Sequence, residues 1–148
     1  MEDNKIEVQS TQFIVVNIGI EQFGIDIKYV DNIVRMQKMT RVPKAPKFFR
    51  GVINLRGEIV PIMSIRRKFE LEDDTFTDKT RIIILKPDQQ EPIGIIVDQV
   101  KEVLSLDSEN IEKVQTDLND EKSKYINAVG KYNDSLISIL NINGVIDV

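Results

Sequence analysis

Apolar positions along the chain are mostly Ile and Val, set in short runs that alternate with polar residues or are closed by Gly, Pro and Asp. β-Branched side chains are stiff at χ1 and pack well on a pleated surface, so the pattern predicts strands. Strands are expected near Gln12–Ile18, Gln22–Ile27, Asn32–Met36, Gly51–Leu55 and Glu58–Ile62, with a turn near Glu21-Gln22. Further strands are expected near Arg81–Lys86, Ile93–Asp98, Glu102–Leu106, Ile126–Gly130 and Ser135–Leu140. Helical periodicity is limited to about a turn at Pro46–Arg50, another at Ser64–Phe69 and a last one after Leu140. The fold class is therefore all-β with a few short helices.

The chain also echoes itself. Shifted by seventy residues, Phe23-Gly24-Ile25-Asp26-Ile27 falls on Ile93-Gly94-Ile95-Ile96-Val97, Val30 on Val100 and Ile33 on Val103. A shift of seventy-seven places Gly51-Val52 on Ala128-Val129 and Ile59–Ile65 on Leu136–Ile142. Two concordant blocks in one order indicate a duplicated unit of about five strands. Five short strands can curl into a small barrel that protects its own edges. Seventy residues is a marginal core, so the two barrels should also bury apolar surface between them as a third core.

On this reading residues 1–11 are a tail, 12–69 a first barrel, 70–79 an acidic linker and 80–148 a second barrel whose C-terminal segment can pack back on the first. The linker, Glu70–Asp78, and a second soft stretch at Gln115–Lys124 read as solvated loops.

Composition narrows the chemistry. The 148 residues are 41% hydrophobic and 30% charged, which suits a single domain with a real core. No His, Cys or Trp is present. That excludes Ser-His-Asp and Cys-His catalysis, thiolate nucleophiles, zinc fingers and disulfides. The glycines form neither GxGxxG nor GxxxxGK[ST], and no Asp/Glu spacing matches a calcium loop. No catalytic residue, metal or cofactor is expected. The N-terminus has no basic-then-apolar signal pattern and no apolar run reaches membrane-span length, so a cytoplasmic location without membrane insertion is expected. The formal net charge of −4 disfavours a general nucleic-acid binder. One local exception is the basic series Arg35, Lys38, Arg41, Lys44, Lys47 and Arg50, for which a solvated face is the simpler reading.

The densest segment runs from Arg41 to Pro61. Pro43 and Pro46 stiffen the approach to Phe48 and Phe49, which are assigned to the core. Gly51 is expected to end the turn in a left-handed conformation. Leu55-Arg56-Gly57-Glu58 reads as a hairpin tip, with Gly57 supplying a positive φ. Such a tip presents Arg56 on defined backbone, which suits recognition of a carboxylate or carbonyl on another protein. From spacing alone, a solvated turn charge is the simpler reading of Arg56, since a charge on a turn needs no function. Val30 and Ile33, three apart, would share a face on one helical turn, either under the next strand or as an exposed patch.

These residues resemble the CheW family, the coupling proteins of bacterial chemotaxis. The resemblance runs from Gln12-Phe13 to about Val145. Its most specific part is the proline-bounded stretch ending in Gly51-Val52-Ile53-Asn54-Leu55-Arg56-Gly57-Glu58-Ile59-Val60-Pro61, and the two Gly24 and Gly94 blocks support it. It implies two SH3-like five-stranded β-barrels packed on each other. It also implies a non-catalytic adaptor that joins the regulatory domain of the histidine kinase CheA to the cytoplasmic tip of chemoreceptors, at the inner face of the membrane. By resemblance Val30, Asn32, Ile33, Arg56 and Gly57 belong to the receptor-facing side. Thr80, Arg81 and Ile82 belong to a barrel edge that meets the kinase. Asn32 departs from the family's frequent Glu, an acid that can pair with the arginine; Ser64 and Asn141 stand where Asp is frequent, and Ala128 where Gly is. The chain opens on Met1 with no kinase or receiver segment, so a stand-alone coupler is expected. The rivals from other classes are a nucleic-acid-binding double barrel that uses the basic cluster at 35–50 and, behind it, a carboxylate-dependent enzyme, which would need a concave apolar pocket with convergent polar groups.

Overall fold

The computed structural model describes residues 9–114 and 124–147. Eleven strands appear among them. The first five are β1 (Ser10–Ile18), β2 (Glu21–Asp26), β3 (Val30–Arg35), β4 (Phe49–Leu55) and β5 (Glu58–Ser64). The others are β6 (Arg81–Leu85), β7 (Ile93–Val97), β8 (Gln99–Asp107), β9 (Ile111–Lys113), β10 (Ile126–Tyr132) and β11 (Ser135–Leu140). Two short helices, α1 (Ile65–Lys68) and α2 (Ile142–Ile146), follow β5 and β11. Every expected strand is present, and β9, a three-residue strand with little apolar signal, is additional. The turn expected at Glu21-Gln22 lies at Gly19-Ile20, where Gly19 has φ +63°. Pro46–Arg50 is a hydrogen-bonded turn rather than a helix, closed by Phe49 N–H donating to Pro46 O at 3.0 Å. Most of Gln115–Lys124 lies outside the described residues.

The strands form two sheets, ordered β8-β1-β2-β11-β10-β9 and β3-β6-β7-β5-β4. This corrects the expected division at 70–79. Strands β1 and β2 are completed by β8–β11, and β6 and β7 are completed by β3–β5. The duplication is real but exchanged: each sheet takes the leading hairpin of one repeat and the trailing strands of the other. Each sheet is joined across the repeats by an antiparallel pairing, β1 with β8 and β3 with β6, and by a parallel one, with Ile139 opposite Gly24 in one sheet and Ile62 opposite Gly94 in the other. Only a residue without a side chain fits beneath those isoleucines. A Cβ at Gly94 would sit 2.6 Å from Ile62 Cδ1, and one at Gly24 would sit 2.9 Å from Ile139 Cδ1.

Three apolar cores result. Phe13, Val15, Leu104 and Ile137 fill the first barrel, and Ile53, Val60, Ile82 and Ile84 fill the second. The expected third core lies between the sheets and is the largest, with Ile14, Val16 and Ile25 from one side meeting Met63, Ile83 and Ile95 from the other. A strand's side chains alternate between faces, so β1, β6 and β7 are buried on both. That explains their nearly unbroken apolar runs, Phe13–Val16, Ile82–Leu85 and Ile93–Val97. Helices α1 and α2 plug the ends of this layer with Ile65 and with Ile142, Val145 and Ile146. Each is capped at its N-terminus by the equivalent residue: Ser64 Oγ accepts from Arg67 N–H at 3.1 Å, and Asn141 Oδ1 accepts from Gly144 N–H.

The acidic 70–79 segment is pinned rather than free. Arg67 donates two hydrogen bonds to Asp73 at 2.8 and 2.9 Å, and Ser64 Oγ donates to the buried Asp74 at 2.6 Å. Burial pushes the Asp74 carboxyl up, against the pull of Ser64 and Arg50. Beside it, Arg66 donates to Asp98 at 2.6 and 3.0 Å, and Gly19 N–H donates to the same carboxylate at 2.8 Å, tying α1 to the β1–β2 turn and the β7–β8 corner.

Two predictions follow from this packing. Gly94→Ala should cost about 1–3 kcal/mol in urea denaturation, the price of overpacking. Combining it with Ile62→Val, which deletes the clashing Cδ1, should recover part of that loss; simple additivity would locate the strain elsewhere. The second concerns Asp98. Burial raises its carboxyl, but the hydrogen bonds from Arg66 and Gly19 outweigh this and leave it below the usual range. The stability it adds is therefore present above the unfolded Asp pKa of about 3.9 and is lost as pH falls through the lower folded value. Asp98→Asn should cost about 1 kcal/mol at neutral pH. The gap to the parent should narrow as pH falls below the unfolded Asp value and through the lower folded one.

Candidate functional site

The β4–β5 hairpin closes in two residues. Arg56 has φ +53° and Gly57 φ +84°, the paired positive values of a turn whose twist matches its flanking strands. Gly57 takes this conformation freely, whereas Arg56 takes it at a cost in strain. Asn54 locks the tip, its Oδ1 accepting from Gly57 N–H at 3.0 Å. Arg56 is thus an exposed guanidinium on backbone fixed by the turn and by β4–β5 pairing. Gly51, expected as a left-handed cap, is instead a strand residue at a bulge with φ +146°. Its missing side chain admits the crossing backbone of Thr40, whose carbonyl oxygen would lie 2.6 Å from a Cβ there. Thr40 and Val52 exchange two backbone hydrogen bonds of 2.8 Å at this crossing, which anchors the 41–47 strap to β4.

Curling of the second sheet brings its opposite ends together. The hairpin tip and the start of edge strand β3 line one groove of about 210 Å³. Arg56 and Lys86 give it positive charge, Asp31 and Glu58 negative charge, and Leu55 and Pro92 an apolar lining. Asp31 reaches this position because β3 is irregular between Val30 and Asn32, which leaves it as the extra residue of a bulge opposite β6. Asn32 does not supply the acid: it is half-buried, and its Oδ1 accepts from Ile33 N–H at 2.8 Å. Asp31 and Glu58 are the carboxylates that share the groove with Arg56.

Val30 and Ile33 do not share a helical face, because residues 30–35 form a strand that alternates between half-buried and exposed positions. Val30 packs against the central core, while Ile33 is 37% exposed. Of the five residues expected on the receptor-facing side, only Arg56 lines this groove; Val30, Asn32, Ile33 and Gly57 do not, although Ile33 is exposed on the strand that supplies Asp31. Asp31, Glu58 and Lys86 were not singled out from the sequence. The bulge that turns Asp31 toward Arg56 leaves no sequence signature.

Thr80, Arg81 and Ile82 do not lie on an edge. Strand β6 runs between β3 and β7 with backbone pairing on both sides. Ile82 is fully buried in the second barrel, and Thr80 is buried with its Oγ1 accepting from Thr77 N–H at 2.8 Å. Only Arg81 reaches solvent in part, and its guanidinium donates to the carbonyls of Asp78 and Thr80. The side chains of Thr80 and Ile82 are spent on the fold.

Two exchanged β-barrels around a common core, with a rigid charged hairpin at the mouth of one, define a small β-barrel scaffold module. The CheW-like domain family matches residues 12–148, and the chain belongs to that family. It is 33% identical over 136 residues to the chemotaxis protein CheW of Klebsiella aerogenes, covering 92% of this chain and 81% of that one. Against the CheW of Helicobacter pylori it is 32% identical over 145 residues, covering 98% and 85%. The crystal structure of the scaffolding protein TtCheW from Thermoanaerobacter tengcongensis superposes with a TM-score of 0.83 at 30% identity, covering 95% and 94% of the two chains. By membership the chain is a chemotaxis adaptor of the scaffold type. No helix among the described residues is long and apolar enough to cross a membrane.

Proposed function

We propose that this chain couples chemoreceptors to a CheA-type histidine kinase without catalysing a reaction, acting in the cytoplasm at the membrane's inner face. The observation that carries the proposal is the groove shared by Arg56 and Asp31 at the mouth of the second barrel. Its two signs of charge and apolar lining suit the side of a helix that presents both a carboxylate and an apolar residue. Arg56 is the anchor, Ile33 adds apolar contact beside it, and Asn54 and Gly57 hold the anchor in place. The kinase regulatory domain pairs with the chain barrel to barrel. Of the three residues first assigned to that contact, Arg81 alone has a side chain able to take part.

Titration calorimetry against the kinase regulatory domain and then the receptor tip tests this reading. One-to-one binding of micromolar affinity is expected for each, as for modest transient interfaces. Arg56→Ala should weaken receptor binding by about tenfold or more, the loss usual for a central arginine anchor. The same variant should leave kinase affinity and thermal stability nearly unchanged. Equal loss toward both partners would make Arg56 structural, and absence of binding to either would overturn the proposal.

A further inference from the structure

A second groove, of about 870 Å³, lies away from Arg56, between the 41–47 strap and the turn that follows α1. Its charge is opposite to that of the chain as a whole. Arg41, Lys44, Lys47, Arg50 and Arg67 line it with Glu70 as the lone acid, on a protein of formal net charge −4. The cations divide into two groups. Arg50 and Arg67 are held by Asp73, at 3.4 and 2.8 Å, and Arg67 also donates to Lys47 O at 3.1 Å. They build the wall. Arg41, Lys44 and Lys47 are exposed and have no ion-pair partner among the described residues. Three like charges at every third position repel one another, and the strap keeps them together because it cannot relax. Its turn at Lys44 has φ +66°, Pro43 and Pro46 fix their own φ, and the Thr40–Val52 bridge anchors its start.

The groove also has apolar margins. Val42 is 45% exposed and Leu71 42% exposed, and both line it. Phe49 is its one aromatic residue, and that ring packs on Phe48 and the central core. A nucleic acid would look for exposed rings on which to stack bases; none lines this groove, and the exposed ring of Phe76 lies under the Arg50 guanidinium, 4.9 Å from its centroid.

We propose that this groove docks an extended acidic segment of a partner protein. Its carboxylates pair with Arg41, Lys44 and Lys47, and an apolar side chain seats between Val42 and Leu71. This goes beyond the receptor-coupling reading and does not depend on it, because none of these residues lines the Arg56 groove.

Fluorescence anisotropy with a labelled heptapeptide, Glu-Asp-Leu-Glu-Leu-Asp-Glu, tests the proposal on the full chain at low salt. Saturable one-to-one binding is expected, weakened about tenfold or more in the triple variant Arg41→Glu, Lys44→Glu, Lys47→Glu. Arg56→Ala should bind the peptide as the parent does. Replacing both leucines of the peptide by serine should weaken binding severalfold. Circular dichroism establishes that the triple variant is folded, and the single Lys44→Glu, at an exposed turn, should give a smaller loss of the same sign. No saturable binding, or binding indifferent to the charge reversals, would overturn the proposal. So would an oligothymidine of equal charge binding as tightly as the peptide, together with indifference to the leucines, since the groove would then be a general polyanion site.

Discussion

Everything in this molecule depends on the apolar layer buried between its two sheets. Barrels of five or six short strands enclose little surface by themselves, and the cores of Phe13 and of Ile53 are each small beside the shared one. Exchange of strands makes the layer obligatory. The leading hairpin, β1–β2, has its sheet partners in β8 and β11 of the other repeat, and β6–β7 has its partners in β3 and β5. Neither half of the chain can complete a barrel without strands from the other. The protein should therefore unfold as one cooperative unit although its architecture is double.

Much of this was legible, for definable reasons. Strand positions followed from β-branched alternation, and the duplication from matched glycine blocks. The hairpin tip followed from Arg56-Gly57 between two apolar runs. The allocation of strands was not legible, because repeats establish which segments are equivalent and not which ones pair. A folded-in and an exchanged arrangement bury the same faces. One available clue concerned edges. The unbroken run Ile82–Leu85 marks a strand buried on both faces and hence interior, whereas Val30–Arg35 alternates as an edge does. Applied to Thr80 and Ile82, it would have placed them inside. The linker was misread for a different reason. An acidic, turn-rich stretch reads as solvated until the cations facing it are known, and Arg50 and Arg67 reach Asp73 only through the fold.

The duplication also shows where function has diverged. The hairpin tip Arg56-Gly57 has its counterpart in Asn133-Asp134, again with two positive φ values. Geometry is conserved between the repeats while chemistry is not: a guanidinium stands on one tip, and an amide and a carboxylate on the other. The first residue of each turn bears a side chain at positive φ, a conformation tolerated by Asn and costly for Arg. Asn133 gives the fold's own solution. Arg56 holds the same conformation at some cost in strain, as do the exposed Lys44, Glu70 and Gln89 elsewhere on the surface.

A coupling protein of this construction transmits position rather than shape. The Arg56 groove and the far barrel are joined through buried apolar side chains, with β1, β6 and β7 each serving two cores at once. Such an interior is stiff, so displacement of one barrel carries the other with it. Charged straps and turns are confined to the outside, where Arg66–Asp98 and Arg67–Asp73 fasten them to the helix that plugs the shared layer. Sites on different faces are thereby held at set distances and angles. On the proposed coupling role, a partner that tilts one face would reorient whatever is bound at another.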